Sequence, residues 1–101
     1  MSISIDDLRV FVAVGVVLNV TRASERLHIT QSAVSQAIRR MEQRAGVQLL
    51  MRKKYGVELT RAGRLLLTRA EDILRLSDQV LAGIRDLQHQ PTGHFKIGRT
   101  T

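Results

Sequence analysis

Gln31, Ser32, Ser35 and Gln36 fall within two turns of what reads as one helix, and all four are polar. Gln can bond adenine through both N6 and N7, and Ser can meet a donor or an acceptor, so each suits the edge of a base. Arg39 and Arg40 follow on the same run; Arg52, Lys53 and Lys54 stand close behind, and Arg61 and Arg64 come next. Their cations suit phosphates, which position a protein on nucleic acid, while base contacts specify the sequence bound. Four polar residues alone would describe an ordinary solvated helix face. The surrounding cations turn the reading towards a nucleic-acid surface.

The wider composition agrees. The chain has 101 residues, with 16 Lys and Arg against 9 Asp and Glu, a formal charge of +7. Up to Arg64 there are 11 basic and 5 acidic residues; from Leu65 onwards there are 5 and 4. A positive front and a balanced back suit a polyanion-binding module joined to something else. Hydrophobic residues at 44% suffice for a core, and aromatics at 3% make it an aliphatic one. So short a chain buries a limited core, and help from a partner subunit is expected.

Other chemistry finds little support. His28, His89 and His94 are scattered and there is no Cys, so neither a metal site nor another cofactor is expected. Ser24, Ser32 and Ser35 lack the His and Asp partners of a nucleophile. The glycines make no phosphate-cradling loop. No enzyme is expected. The absence of Cys fits the cytoplasm of a cell. The start has no basic segment ahead of an apolar run, as a signal peptide would. The apolar stretch 10–20 is far short of the ~20 residues that span a bilayer, so no membrane partner is expected.

The elements that must position these residues are mainly helical. Ser4 caps a first helix over 5–17, and Asp7 three residues later resembles a capping box. Ile5, Leu8, Phe11, Val12 and Gly15 share one face. Asn19 or Thr21 caps a short second helix ending near His28, with Ala23 and Leu27 inward. Ile29 and Thr30 make a tight link, and Thr30 caps a third helix over 31–45, stopped by Gly46. Its inner stripe is Val34, Ala37, Ile38, Met41 and Ala45; Gln31, Ser32, Ser35, Gln36, Arg39 and Gln43 face outward. Two short strands over 48–52 and 57–60 follow, with the turn at 53–56 and Gly56 free to take a positive φ. A charged hairpin after a helix-turn-helix is a wing.

Thr60 then caps a helix that nothing breaks until Pro91. Leu66, Ala70, Ile73, Ser77, Val80, Ile84 and Leu87 step by alternating four and three, the spacing of a heptad seam, with Leu67, Leu74 and Leu81 beside it. The first two turns pack on the chain's own domain, and the rest calls for a partner helix. Pro91-Thr92-Gly93 reads as a linker, and the closing HFKIGRT starts like a strand with nothing to pair with. The chain is expected to stop at the edge of a second domain.

The run LRVFVAVGVVLNVTRASERLHITQSAVSQAIRRMEQRAGVQLLMRKKYGVELTRAGRLLL resembles the start of LysR-type transcriptional regulators. The likeness extends over 8–98, and its motifs occur in order: TRASERLHITQSAVSQAIRRME, GVQLLMR, then LTRAG. It implies a winged helix-turn-helix over 1–60 and a dimerising linker helix over 61–89, pairing antiparallel with its mate. It also implies a hinge and first strand of an effector-binding domain over 90–101. The implied function is sequence-specific binding of double-stranded operator DNA by a homodimer in a bacterial cytoplasm, with the recognition helix in the major groove. A tetramer of the full-length protein and contact with RNA polymerase are compatible with it. Position by position, the likeness points to Gln31, Ser32, Ser35 and Gln36 as base readers, and to Thr30, Arg52 and Thr60 as backbone contacts or wing anchors. Ala23, Leu27, Val34, Ile38, Met41, Leu49, Leu59, Ala62 and Gly63 match core or close-packing positions.

The departures fall in informative places. Ser32 stands where many relatives have Pro, and Gln36 where Arg is frequent, so the operator cannot be borrowed from a relative. Leu18 replaces a frequent Gly in the first interhelix turn, where Asn19 is the residue expected to take the unusual backbone angle. Leu50 replaces a common Phe beside the wing. Val16 and Val17 replace commonly acidic residues; a neighbouring subunit and simple exposure are equally good explanations. Two other classes stay open: an architectural DNA binder with little sequence preference, and a helical interaction module for acidic proteins.

Overall fold

The computed structural model describes residues 3–89. The elements run α1 (Ile5–Val17), α2 (Val20–Leu27), α3 (Gln31–Ala45), β1 (Leu50–Lys53), β2 (Gly56–Leu59) and α4 (Arg61–His89). The expected linker and strand over 90–101 lie outside the described residues.

Local chemistry starts each helix. Ser4 Oγ accepts the Asp7 N–H, Asn19 Oδ1 the Arg22 N–H, Thr30 Oγ1 the Ala33 N–H and Thr60 Oγ1 the Gly63 N–H, all at 2.9–3.0 Å. Each bond satisfies a donor that the helix leaves unpaired at its start, which holds off fraying. Asn19, not Thr21, is the cap of α2. That duty requires an extended backbone (φ −155°, ψ 118°), so Asn19 cannot also take the left-handed angle. Leu18 takes it instead (φ 55°, ψ 37°), at a cost of roughly 1–2 kcal/mol. His28 ends α2 and Gly46 ends α3 in the same left-handed region. The Asp7 carboxylate makes no capping box; it is buried and reaches the Arg40 guanidinium at 2.9 Å.

The core is aliphatic apart from Phe11. Phe11, Val14, Val34 and Met41 are its largest fully buried side chains, joined by Ala23, Ala37, Ile38, Leu49, Leu50 and Val57. Helix α1 packs on α2, α3 and α4 at once. It therefore buries more than one stripe, and Val10 and Val14 belong to the core while Ile5 is exposed. At the other end of α3, Ala45 is exposed beside Gly46 and Val47, so the inner stripe of that helix stops at Met41.

The wing is an antiparallel pair in the register Leu50↔Leu59 to Lys53↔Gly56, with Lys54 and Tyr55 as the turn. The strands sit nearer the tip than 48–52 and 57–60, because the residues at the base have other duties. Thr60 Oγ1 donates to the Gln48 carbonyl at 2.7 Å and Thr60 N–H to the Leu49 carbonyl at 3.0 Å. Glu42 Oε2 accepts the Leu49 and Leu50 N–H groups at 2.8 and 3.3 Å, tying the wing to α3. Val57 N–H donates to the Leu18 carbonyl at 3.1 Å, tying it to the end of α1. At Gly56 (φ +118°) a Cβ would stand 2.5 Å from that carbonyl oxygen.

The 29 residues of α4 make a helix of about 43 Å at 1.5 Å per residue. Its start packs on the core: Gly63 and Ala70 are buried, and Leu66 and Leu67 are half-buried against the cluster. Leu67 fills the space beside Gly15, where a Cβ would stand 3.1 Å from Leu67 Cδ1. Leu66 and Ala70, two positions of the expected intersubunit seam, are thus occupied within the protomer. Beyond them Ile73, Leu76, Val80, Leu81, Ile84 and Leu87 are exposed, and Leu74 and Ser77 partly so.

Gly63 admits no side chain, since a Cβ would stand 2.0 Å from the Leu49 carbonyl oxygen. Gly63→Ala should cost about 1–3 kcal/mol, the range for overpacking a tight site, measured by thermal or urea unfolding. Unchanged stability would mean that the wing base and α4 are not in that contact.

Candidate nucleic-acid interface

Helix α3 carries the polar set on the side away from its core. The buried stripe of Val34, Ala37, Ile38 and Met41 fixes the roll of the helix. At about 100° per residue, Ser32, Gln36, Arg39 and Gln43 then lie opposite it. Gln31 and Ser35 lie on one flank and Arg40 on the other. Gln31, Ser32, Gln36, Arg39 and Arg40 are exposed and Ser35 is partly so.

The wing meets the Gln31 flank. Ser35, Arg39, Gln48 and Arg52 line one cleft between α3 and β1. Asn19, Thr21, Gln31, Ser35, Arg52 and Lys53 line the next, where the starts of α2 and α3 face the hairpin. Ser35 and Arg52 belong to both clefts, which makes the two one continuous surface. Two helix N-termini open on it, and their free N–H groups and positive dipole ends favour an anion. Asn19 and Thr21 were not among the expected contacts; their only sequence signal was candidacy as a cap.

The cations differ in their commitments. Among the described residues, Arg39, Arg52 and Arg61 have no ion pair, so their charges remain available. Lys53 Nζ is 3.5 Å from Glu58 Oε1, a half-exposed pair that water screens. Lys54 lies over the Tyr55 ring, 5.5 Å from its centroid. Tyr55 is 87% exposed at the wing tip. Arg64 Nη1 donates to the Leu59 carbonyl at 3.2 Å, which holds it against the strand. Arg40 is bound to Asp7, on the flank away from the wing. Thr30 Oγ1 accepts the cap bond and keeps its hydroxyl hydrogen for another partner. Thr60 uses its hydroxyl in both directions, accepting from Gly63 and donating to Gln48, and is a wing anchor.

This surface can present amide and hydroxyl groups to base edges and arginines to the phosphates on either side. A second groove lies away from it, between α1 and α4, lined by Val12, Glu71, Leu74, Arg75, Asp78, Gln79 and Ala82. The polar clefts and this groove share no lining residue.

Residues 5–64 match the model of a bacterial regulatory helix-turn-helix protein of the lysR family. The HTH-type transcriptional regulator PgrR of Escherichia coli (strain K12) is 42% identical over 93 residues, 92% of this chain and 31% of that protein. The HTH-type transcriptional regulator BudR of Klebsiella aerogenes is 42% identical over 94 residues, 93% of this chain and 66% of that protein. The chain thus spans about a third of PgrR and just under two thirds of BudR. Among solved structures, the CbnR_DBD–DNA complex superposes with a TM-score of 0.80 at 32% identity, covering 85% of this chain and 99% of that one. The BenM_DBD/catB site 1 DNA complex does so with a TM-score of 0.83 at 30% identity, covering 87% and 98%. Sequence motif, winged helix-turn-helix geometry and long following helix agree, and the chain belongs to the LysR family of bacterial regulatory helix-turn-helix proteins.

Proposed function

We propose that this chain is the sequence-specific DNA-binding part of a LysR-type transcriptional regulator and acts as a homodimer on double-stranded operator DNA. The observation that carries the reading is the convergence of Gln31, Ser35, Arg39 and Arg52 on one open surface beside exposed Gln36. The likeness to two proteins solved in complexes with DNA supports it. The N-terminal half of α3 enters the major groove, where Gln31, Ser32, Ser35 and Gln36 meet base edges. Arg39, Arg52, Lys53, Lys54, Arg61 and Arg64 neutralise phosphates, with Thr30 at the start of α3 contributing a hydroxyl.

The two working parts are the winged helix-turn-helix up to residue 60 and the helix 61–89. The exposed stripe Ile73, Val80, Ile84 and Leu87, with Leu74, Ser77 and Leu81 beside it, covers the same stripe of a second copy in antiparallel array. Two copies so joined hold two recognition helices towards two half-sites of a partly palindromic operator. The response to an effector belongs to a further domain of the whole regulator.

The first test is fluorescence anisotropy with DNA from upstream of the protein's own gene against scrambled DNA, across a salt series. Preference that survives near-physiological salt is expected. Equal and steeply salt-dependent binding to both, persisting against sequences selected from random DNA, would favour an architectural binder instead.

Three substitutions resolve the roles. Gln36→Ala should lose about 1–3 kcal/mol of discrimination between operator and random DNA; an equal fall for both would remove it from the base readers. Arg39→Ala should weaken binding to all sequences and reduce the salt slope of the dimer by about 1.8, two contacts at ~0.9 each, and an unaltered slope would contradict a phosphate role. Ile73→Glu places a charge in the stripe and should shift a dimer towards monomer in sedimentation velocity. A dimer that persists would place the interface elsewhere.

A further inference from the structure

Arg40 sits beside Arg39 on a basic helix, and by composition alone it is one more cation for DNA. Its geometry says otherwise. Its Nη2 donates to Asp7 Oδ1 at 2.9 Å, across 33 residues of sequence. Asp7 retains only 5% of its exposure, while the Arg40 side chain is about half exposed. An unpaired carboxylate would be costly there, which favours keeping the pair made. The pair joins the first turn of α1 to the C-terminal half of α3, on the flank opposite the wing.

Helix α3 is therefore held on both flanks at the same level. Arg40 ties one side to α1, and Glu42 ties the other to the Leu49 and Leu50 N–H groups at the wing base. The proposed base readers lie beyond these ties, towards the N-terminus. At about 1.5 Å per residue Gln31 is ~13 Å along the helix from Arg40, so a tilt of ~10° displaces it by ~2 Å, enough to break a hydrogen bond. Helix α1 in turn abuts α4 through the Gly15–Leu67 contact. A rigid path leads from the long helix through α1 and the Asp7–Arg40 pair to the reading helix.

We propose that Asp7 and Arg40 form a strut that fixes the angle of the recognition helix relative to the long helix, and so sets the half-site spacing that a dimer accepts. Arg40 is a positioning residue for DNA reading and does not contact phosphate. The proposal rests on the DNA-reading function and the dimer proposed above. Only the carboxylate of the pair is buried, and an ion pair of this kind adds little net stability, which fits a role in geometry more than in stability.

The test uses the 101-residue chain, unaltered and as D7N, R40Q, R40K and D7N/R40Q, at a temperature where circular dichroism shows each folded. Anisotropy is measured against the selected operator and against versions with the half-site spacing altered by one and two base pairs, each across a salt series. D7N and R40Q should both flatten the spacing preference at least threefold, with the double variant no worse than either. R40K, which keeps the charge, should retain most of the preference. R40Q should keep the salt slope of the unaltered chain. A slope lower by about 1.8 in R40Q, two contacts per dimer, but not in D7N would make Arg40 a phosphate contact and overturn the strut. Variants that melt earlier yet keep the spacing preference would overturn it too, leaving a merely stabilising pair. If D7N does not fold, R40Q and R40K decide the matter by the same two readouts. An unaltered chain that discriminates sequence but not spacing would overturn the strut alone; one that discriminates neither would overturn the DNA-reading function with it.

Discussion

Helix α1 is covered by α2, α3 and α4 together, and its Phe11 and Val14 have no exposed surface. Burying two such side chains is worth several kcal/mol, a large part of what a chain of this size can gather. The other elements take their places from that burial. Helix α3 presents Val34, Ala37, Ile38 and Met41 to the core, which fixes its roll and turns Ser32, Gln36 and Arg39 outward. Helix α4 can come close only because Gly15 leaves room for Leu67. The polar face of α3 is thus a consequence of where its apolar face must go.

The wing has too few residues to stand by itself, since an isolated two-stranded hairpin is at best marginal in water. It is held through main-chain groups. Leu49 and Leu50 donate to Glu42, Val57 donates to the Leu18 carbonyl, and Thr60 binds the main chain at Gln48 and Leu49. Each tie leads back to a helix, so Arg52 and Lys53 are placed against Gln31 and Ser35 by hydrogen bonds made elsewhere. Such an arrangement leaves the outward side chains of the wing free to vary without cost to the fold. Tyr55 at its tip is exposed, with Lys54 over the ring.

The long helix has two environments. Up to Ala70 it belongs to the core, and from Ile73 onward an apolar stripe stands in solvent. An exposed row of Ile73, Leu76, Val80, Ile84 and Leu87 is more than scattered surface hydrophobics and needs a cover. The stripe belongs to α4 and the polar clefts to α2, α3 and the wing, so covering the first need not obstruct the second.

Much of this was legible in the residues, because it depends on interactions within a few positions of the chain. Ser4, Thr30 and Thr60 act as caps through bonds to the third residue on, Gly46 ends α3 and Gly56 takes a positive φ, all local matters of backbone chemistry. The spacing of Val34, Ala37, Ile38 and Met41 foretold the roll of α3, and with it the outward face. The family motifs carried the winged architecture. Tertiary structure decided what depends on distance across the fold. A sequence period cannot show that α1 is covered on several sides, so it points to Ile5, which is exposed, and passes over Val10 and Val14, which are buried. It cannot show that Leu66 and Ala70 meet the chain's own core before any partner arrives. Nor can it show that Asn19, once engaged as a cap, leaves the left-handed angle to Leu18. The charges illustrate the limit best. Asp7 and Arg40 are 33 residues apart, and Arg39 and Arg40 are alike in composition, yet only packing brings one of the two arginines to a buried carboxylate and leaves the other free. Charge is a property of the residue, but its availability depends on which neighbours the fold supplies.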